Sequence, residues 1–486
     1  MEVRKLICYT VNNRPAHNRW YQMKVKTDDN ALSSNVKKSV AIVLVGNFLD
    51  FFDLMLAVHL TVILTKIFIP SDSYLTPMLT VFTFCSSFCI RPLAAIFWGY
   101  IGDTIGRVPV LISTTFLMSI SCILIPNIPP YAEWGALSAA LFLILRLVQG
   151  FASGGECIAA DVFITETVPE PKVYFCSALV EATCSLGGLV ACGIGAVCVL
   201  LSPENGWKLP FYIGSGVAVL GTIARRTLKE APEFVKALAE KKVKKKFSDL
   251  YLSINFKHRN IPALFALYLF PAIAFYFSYA FLPSVMSNEL GIATNKVMAQ
   301  TTLVLFIVMC AEVSYGLLGL KFHPFTILKF KLFSLLALMP LLGIFMTGFT
   351  SAPVIFVIQV VVSCLGQGLT PATPLINKSF PIFGRYTYLL FIWAASHSMF
   401  YLMTAYVCDQ VTSFRGICCL LFVAAFISLM GLYAFVPKDK MLSSKLSQAL
   451  PDNSPWQDMV EEEKEHVTRE QKQKEQALKK WFEKIN

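Results

Sequence analysis

The chain has 486 residues, of which 55% are hydrophobic and only 15% charged, whereas a soluble domain carries about 25% charge. Its mean hydropathy is +0.60. These values exclude an ordinary soluble enzyme, a disordered chain and a nucleic-acid-binding module. The formal net charge of +11 reads as topology, because cytoplasmic loops of membrane proteins collect Lys and Arg.

In chain order, residues 1–38 are polar and basic and hold no apolar core of a cleavable signal peptide. Met23 is an alternative start. Apolar stretches of spanning length follow at 39–64, 75–100, 108–126, 136–160, 173–201 and 207–224. Residues 225–260 interrupt them with eleven Lys and Arg, beginning at Arg225 and Arg226, against Glu230, Glu233, Glu240 and Asp249. Six more stretches run over 261–286, 297–320, 326–348, 351–374, 386–408 and 415–436, and 437–486 is a charged tail. The fold expected is all-α and integral to the membrane, with twelve transmembrane helices in two pseudo-symmetric six-helix bundles, 39–224 and 261–436.

With both termini cytoplasmic, the outer loops hold only Lys66, Lys208, Lys296 and Arg415, which satisfies the positive-inside rule. A faint repeat supports two parallel halves. Gly99 and Gly102 match Gly316 and Gly319 at an offset of 217, and Gln149-Gly150 matches Gln367-Gly368 at 218. Transporters built from such repeats bind at the midplane between the halves. Most of the fourteen cysteines lie in apolar runs, with no CxxC pair or disulfide framework.

Ionisable groups inside spans are costly and mark function. Asn47, Asp50 and Asp53 share a helix face near mid-membrane. Arg91 and Arg146 lie at similar depth, and Gln149, Ser153 and Glu156 extend a stripe from Arg146. Asp50 and Asp53 are the candidates for proton coupling. Asn47, Arg91, Arg146, Gln149, Tyr268 and Tyr279 are the candidates for substrate contact. A structural ion-pair cluster is the competing reading. Glu156, Glu181, Glu312 and His397 are candidate proton-path residues, with interhelical bonding as the plainer account of each.

After the second stretch, Gly99, Gly102, Asp103, Gly106 and Arg107 combine turn-forming glycines with opposite charges, a pattern suited to latching one transport state. In the seventh, Tyr268, Phe275 and Tyr279 share a face. Core or lipid packing accounts for them, and an aromatic surface for a quaternary ammonium is the sharper alternative. No Gly-Lys dipeptide and no G-x-S-x-G occur, so neither a Walker A loop nor that nucleophile elbow is present. No metal-ligand spacing is visible. The expectation is no enzyme activity, no cofactor, no metal and no nucleic acid.

At these residues the sequence resembles the metabolite:proton symporters of the major facilitator superfamily. The resemblance rests on Gly46 through Asp53, Arg91-Pro92 through Gly102-Asp103 and Gly106-Arg107, and Arg146 through Glu156. It continues in Trp207 through Phe211, Leu228 through Phe234, and Phe380 through Tyr386. Phe51 stands where the family pattern has Trp, and Lys321-Phe-His323-Pro324 replaces the latch expected after the eighth helix. Within the branch it looks most like proline/betaine transporters. The resemblance implies proton-coupled uptake of a zwitterion such as proline or glycine betaine by alternating access, in a bacterial inner membrane. A dicarboxylate or oxoacid such as 2-oxoglutarate is the alternative substrate, and a non-transporting sensor the alternative class. The implied partners are small solute, protons and lipid. Residues 455–486 support a charged helix but lack a sustained heptad repeat, leaving weak tail-mediated self-association.

Overall fold

The structure is a computed structural model that describes residues 34–69, 87–202, 205–240, 260–345, 351–380, 382–410 and 414–435. The N-terminal tail through residue 33, most of the basic central loop and the tail from 436 lie outside the described residues. Residues 32–432 form one compact unit. All regular structure among the described residues is helical, as a lipid environment demands of a chain that must satisfy its own backbone hydrogen bonds.

Among the described residues, nine helical segments are long and apolar enough to cross a membrane. They correspond to the first (Ser34–Phe68), third (Arg107–Leu124), fourth, fifth (Lys172–Leu201), seventh, eighth (Thr294–Gly319), ninth (Pro324–Phe345), eleventh (Arg385–Gln410) and twelfth (Phe414–Phe435) spans. Arg91–Thr104, Lys208–Arg225 and Ala352–Gly366 stand as the second, sixth and tenth. The protein is therefore a multi-pass membrane protein with the twelve-helix arrangement.

Among the described residues, the fourth, seventh and tenth spans are discontinuous. The fourth breaks after Ala136–Glu156 at residues 157 and 158 and resumes as Ala159–Thr167. The seventh runs Asn260–Leu267, Leu269–Tyr276, a π-helical turn Phe277–Phe281, and Leu282–Asn288. Pro283 explains that turn, because it has no N–H for the carbonyl four residues back and its ring crowds that carbonyl. The tenth ends at Gly366 and resumes as Thr373–Lys378, with Gly368 at φ +68° between them.

The two halves meet along two helix pairs, fifth on eighth and second on eleventh. These are equivalent under the sequence repeat. A β-carbon on Gly99 would come within 2.8 Å of the Thr387 backbone, and one on Gly316 within 2.5 Å of Ala178. The repeated glycines thus occur where one half touches the other.

Candidate functional site

A cavity of about 100 Å³ lies between the halves. The first half supplies Asn47, Phe51 and Met55 from the first span, Cys157, Ile158 and Asp161 from the broken fourth, and Val180, Glu181, Cys184 and Ser185 from the fifth. The second half supplies Tyr268, Pro271, Phe275 and Tyr279 from the seventh span and Leu305 from the eighth. It adds Gln367, Gly368, Leu369 and Thr373 around the tenth-span break, and Trp393, His397 and Tyr401 from the eleventh. All three broken spans reach the cavity, where unwound backbone can face polar contents instead of lipid.

One wall carries acids. Asp161 is buried and accepts a hydrogen bond from Ser177 Oγ at 2.9 Å. Glu181 is half-buried and faces Gly368, whose β-carbon position would lie 3.2 Å from its carboxyl carbon. Asn47 is turned to the fifth span, its Nδ2 donating to Val180 O at 2.8 Å and Cys184 Sγ at 2.9 Å. The facing wall is aromatic. Trp393 and His397 stack with centroids 4.1 Å apart, and Tyr268 and Tyr401 flank the imidazole at 5.5 and 5.7 Å. Phe275 bridges Tyr279 and Tyr401 at 5.2 and 5.5 Å, while Tyr279 OH donates to Gln367 Oε1 at 3.2 Å. His397 Nδ1 lies 2.9 Å from Trp393 O, which fixes its ring. No Lys or Arg lines this cavity among the described residues.

The predicted charged cluster forms a second, smaller space of about 10 Å³ wholly within the first half. Asp50, Asp53, Arg91, Arg146 and Gln149 line it together with Ser87 and Ser153. Asp53 Oδ1 accepts from Gln149 Nε2 and from Cys122 Sγ, each at 2.9 Å. Arg146 donates to Gln149 Oε1 at 2.7 Å and Ser87 Oγ at 3.3 Å. Gln149 therefore bridges Arg146 to Asp53. Asp50 Oδ1 and Arg91 Nε are buried without a hydrogen-bond partner among the described residues. The Arg91 guanidinium lies 4.6 Å from the Phe88 ring centre and 5.7 Å from that of Trp393, which lines the larger cavity.

The four mid-membrane charges thus meet within the first half. Of the six expected substrate contacts, Asn47, Tyr268 and Tyr279 line the central cavity, whereas Arg91, Arg146 and Gln149 line the smaller space. Glu156 accepts from Arg225, Thr114 and Thr115. Arg225, counted in sequence with the basic loop, is fully buried at the end of the sixth span. Glu312 pairs with Lys331 at 3.7 Å and accepts from Thr370 Oγ1.

The residues expected to form a latch make contacts across the halves. Asp103 accepts from Thr387 N at 2.9 Å, Thr387 Oγ1 at 2.6 Å and Tyr386 N at 3.3 Å. Arg107 donates to Glu166 at 3.0 Å and to Ile382 O at 3.1 Å, and Arg385 donates to the same Glu166 oxygen at 3.0 Å and to Glu233 at 3.1 Å. Gly99 and Gly102 admit the start of the eleventh span, with Gly102 against Tyr386. Gly106, at φ +139°, makes the turn, and Glu230 caps the next helix by accepting from Val108 N at 3.1 Å. These bonds join the two halves at this end.

Sequence reasoning missed Asp161, Glu166 and Lys331. A single acid within the apolar run 158–164 was the available signal for Asp161.

The profile of the Major Facilitator Superfamily matches residues 43–396. The proline/betaine transporter of Salmonella typhimurium is 27% identical over 308 residues, covering 60% of this chain and 62% of that relative. The chain thus spans less than two thirds of that relative's length. A putative proline/betaine transporter of Staphylococcus aureus is 27% identical over 339 residues, covering 65% of this chain and 72% of the relative. The solved proton:xylose symporter XylE superimposes with a TM-score of 0.68 at 15% identity, covering 83% of this chain and 95% of that one. These relatives are transporters, not enzymes, and with the profile spanning most of its length this chain belongs to the Major Facilitator Superfamily.

Proposed function

We propose that the protein is a proton-coupled carrier of a small solute bearing a methylated or secondary ammonium, of the proline or glycine betaine kind. The observation that carries the reading is the central cavity, with Asp161 and Glu181 on one side, an aromatic wall with His397 on the other, and no Lys or Arg among the described lining residues. Carboxylates attract the ammonium, and ring faces bind an alkylated cation that cannot donate hydrogen bonds. The curated relatives bear proline/betaine names. A dicarboxylate fits less well, since its two negative charges would face Asp161 and Glu181 with no Lys or Arg among the described lining residues.

Asp50 is the proton carrier in this reading. Its buried oxygen, without a hydrogen-bond partner among the described residues, makes the charged form costlier than the neutral form. The basic residues of 225–260 orient the latch end toward the cytoplasm, so the latch closes the inner side and the carrier works by alternating access. The sources of the relatives, Salmonella typhimurium and Staphylococcus aureus, support a bacterial plasma membrane. The retained latch favours transport over a sensor role.

Uptake of labelled glycine betaine, proline and 2-oxoglutarate into vesicles, with and without an imposed pH gradient, tests the proposal. Gradient-driven accumulation of a zwitterion is expected. Accumulation of 2-oxoglutarate alone, or of nothing, refutes it.

A further inference from the structure

We propose that the Lys331 ammonium is a tethered cation occupying a monovalent-cation site at the break of the tenth span. Lys331 comes from the ninth span and is fully buried. Its Nζ lies 3.2 Å from Gln367 O, 3.5 Å from Gly368 O and 3.7 Å from Glu312 Oε1, and 4.5 Å from the centre of the Tyr315 ring.

Those carbonyls are free for a reason written in the chain. In a continuing helix, Gln367 O would accept from residue 371, but Pro371 has no N–H. Gly368 O would accept from Ala372 N, which instead donates to Leu369 O at 2.9 Å. The carbonyl end of Ala352–Gly366 therefore presents two unspent acceptors and the negative pole of its dipole. Glu312 adds a full negative charge, and Thr370 Oγ1 orients its other oxygen. Two carbonyls, a carboxylate and a ring face make a donor set that suits a compact monovalent cation. An ammonium on a flexible stem supplies that charge without a free ion.

The consequence reaches the cavity, because Gln367 and Gly368 line it and Gln367 holds Tyr279. Lys331 keeps the break neutralised and its backbone in place against Glu181. This inference goes beyond the transport reading and does not depend on which solute is carried.

The test is thermal melting of purified Lys331→Ala in sodium chloride, methylammonium chloride and N-methylglucamine chloride at equal ionic strength. The expected result is that sodium or methylammonium raises the variant's melting temperature by a few degrees over N-methylglucamine, while the unmodified protein melts alike in all three. Adding Glu312→Gln to Lys331→Ala should abolish the response. Equal melting of Lys331→Ala in every salt, failure to fold in every salt, or a response that survives Glu312→Gln would each overturn the proposal. Since no solute is present, the outcome is separate from the success or failure of the uptake assay.

Discussion

Asp50 and Asp53 lie one helical turn apart, yet their surroundings differ. Asp53 is held by Gln149 and Cys122, whereas one oxygen of Asp50 has no partner. Coupling needs a group whose protonation changes between states, and the loosely held acid suits that task. Asp50→Asn should therefore abolish pH-gradient-driven accumulation while retaining exchange of solute. Counterflow against gradient-driven uptake measures both, and normal accumulation would return the role to Asp53 or remove it from the pair. In the central cavity, Asp161→Asn or Glu181→Gln should raise the half-saturation concentration for glycine betaine about tenfold, equivalent to ~1.4 kcal/mol. Saturation curves with unchanged half-saturation in both variants would detach the acids from the solute.

At the level of elements, the glycine repeat and the two inter-half contacts are one feature. Gly99 lies in the contact of the second span with the eleventh, and Gly316 in that of the eighth with the fifth. A side chain at either would obstruct the closed arrangement while leaving each half's own packing largely untouched. Gly316→Val should fold and reach the membrane but transport at least about tenfold more slowly, a barrier change of ~1.4 kcal/mol. Asp103→Asn weakens the same closed end more gently, because the amide oxygen still accepts from Thr387. It should lower the maximal rate and leave the half-saturation concentration nearly unchanged, since Asp103 does not line the cavity. Initial-rate measurements separate the two parameters, and an affinity loss at constant maximal rate would contradict the latch assignment.

For the whole molecule, the proposed orientation rests on charge asymmetry, which places the 225–260 end in the cytoplasm. Ile105 is exposed at the turn between the second and third spans, and Trp134 is exposed beyond the other end of the third. In a background cleared of reactive thiols, Ile105→Cys should react with a membrane-impermeant maleimide only in inside-out vesicles, and Trp134→Cys only in right-side-out ones. The reverse pattern would invert the orientation and make the latched end the outer one.

Hydropathy along the chain was enough to establish a helical membrane protein with spans in two sets of six, because burial in lipid constrains every residue of a span in the same way. Depth was also legible, since a fixed rise per residue set Asp50, Asp53, Arg91 and Arg146 at one level, and the motifs that carry them pointed to the family. Facing was not legible. Asp161 lies beyond the break at residues 157 and 158, which ends the stripe from Arg146 and turns the chain toward the cavity. Arg225 reads as part of the basic loop and Lys331 was missed, but the tertiary structure buries them against Glu156 and Glu312. Arg91 and Arg146 read as solute ligands, but helix packing turned them into a separate space of the first half. A linear pattern records how deep a charge lies, whereas the partner it meets depends on helix rotation and on breaks that only the packed halves reveal.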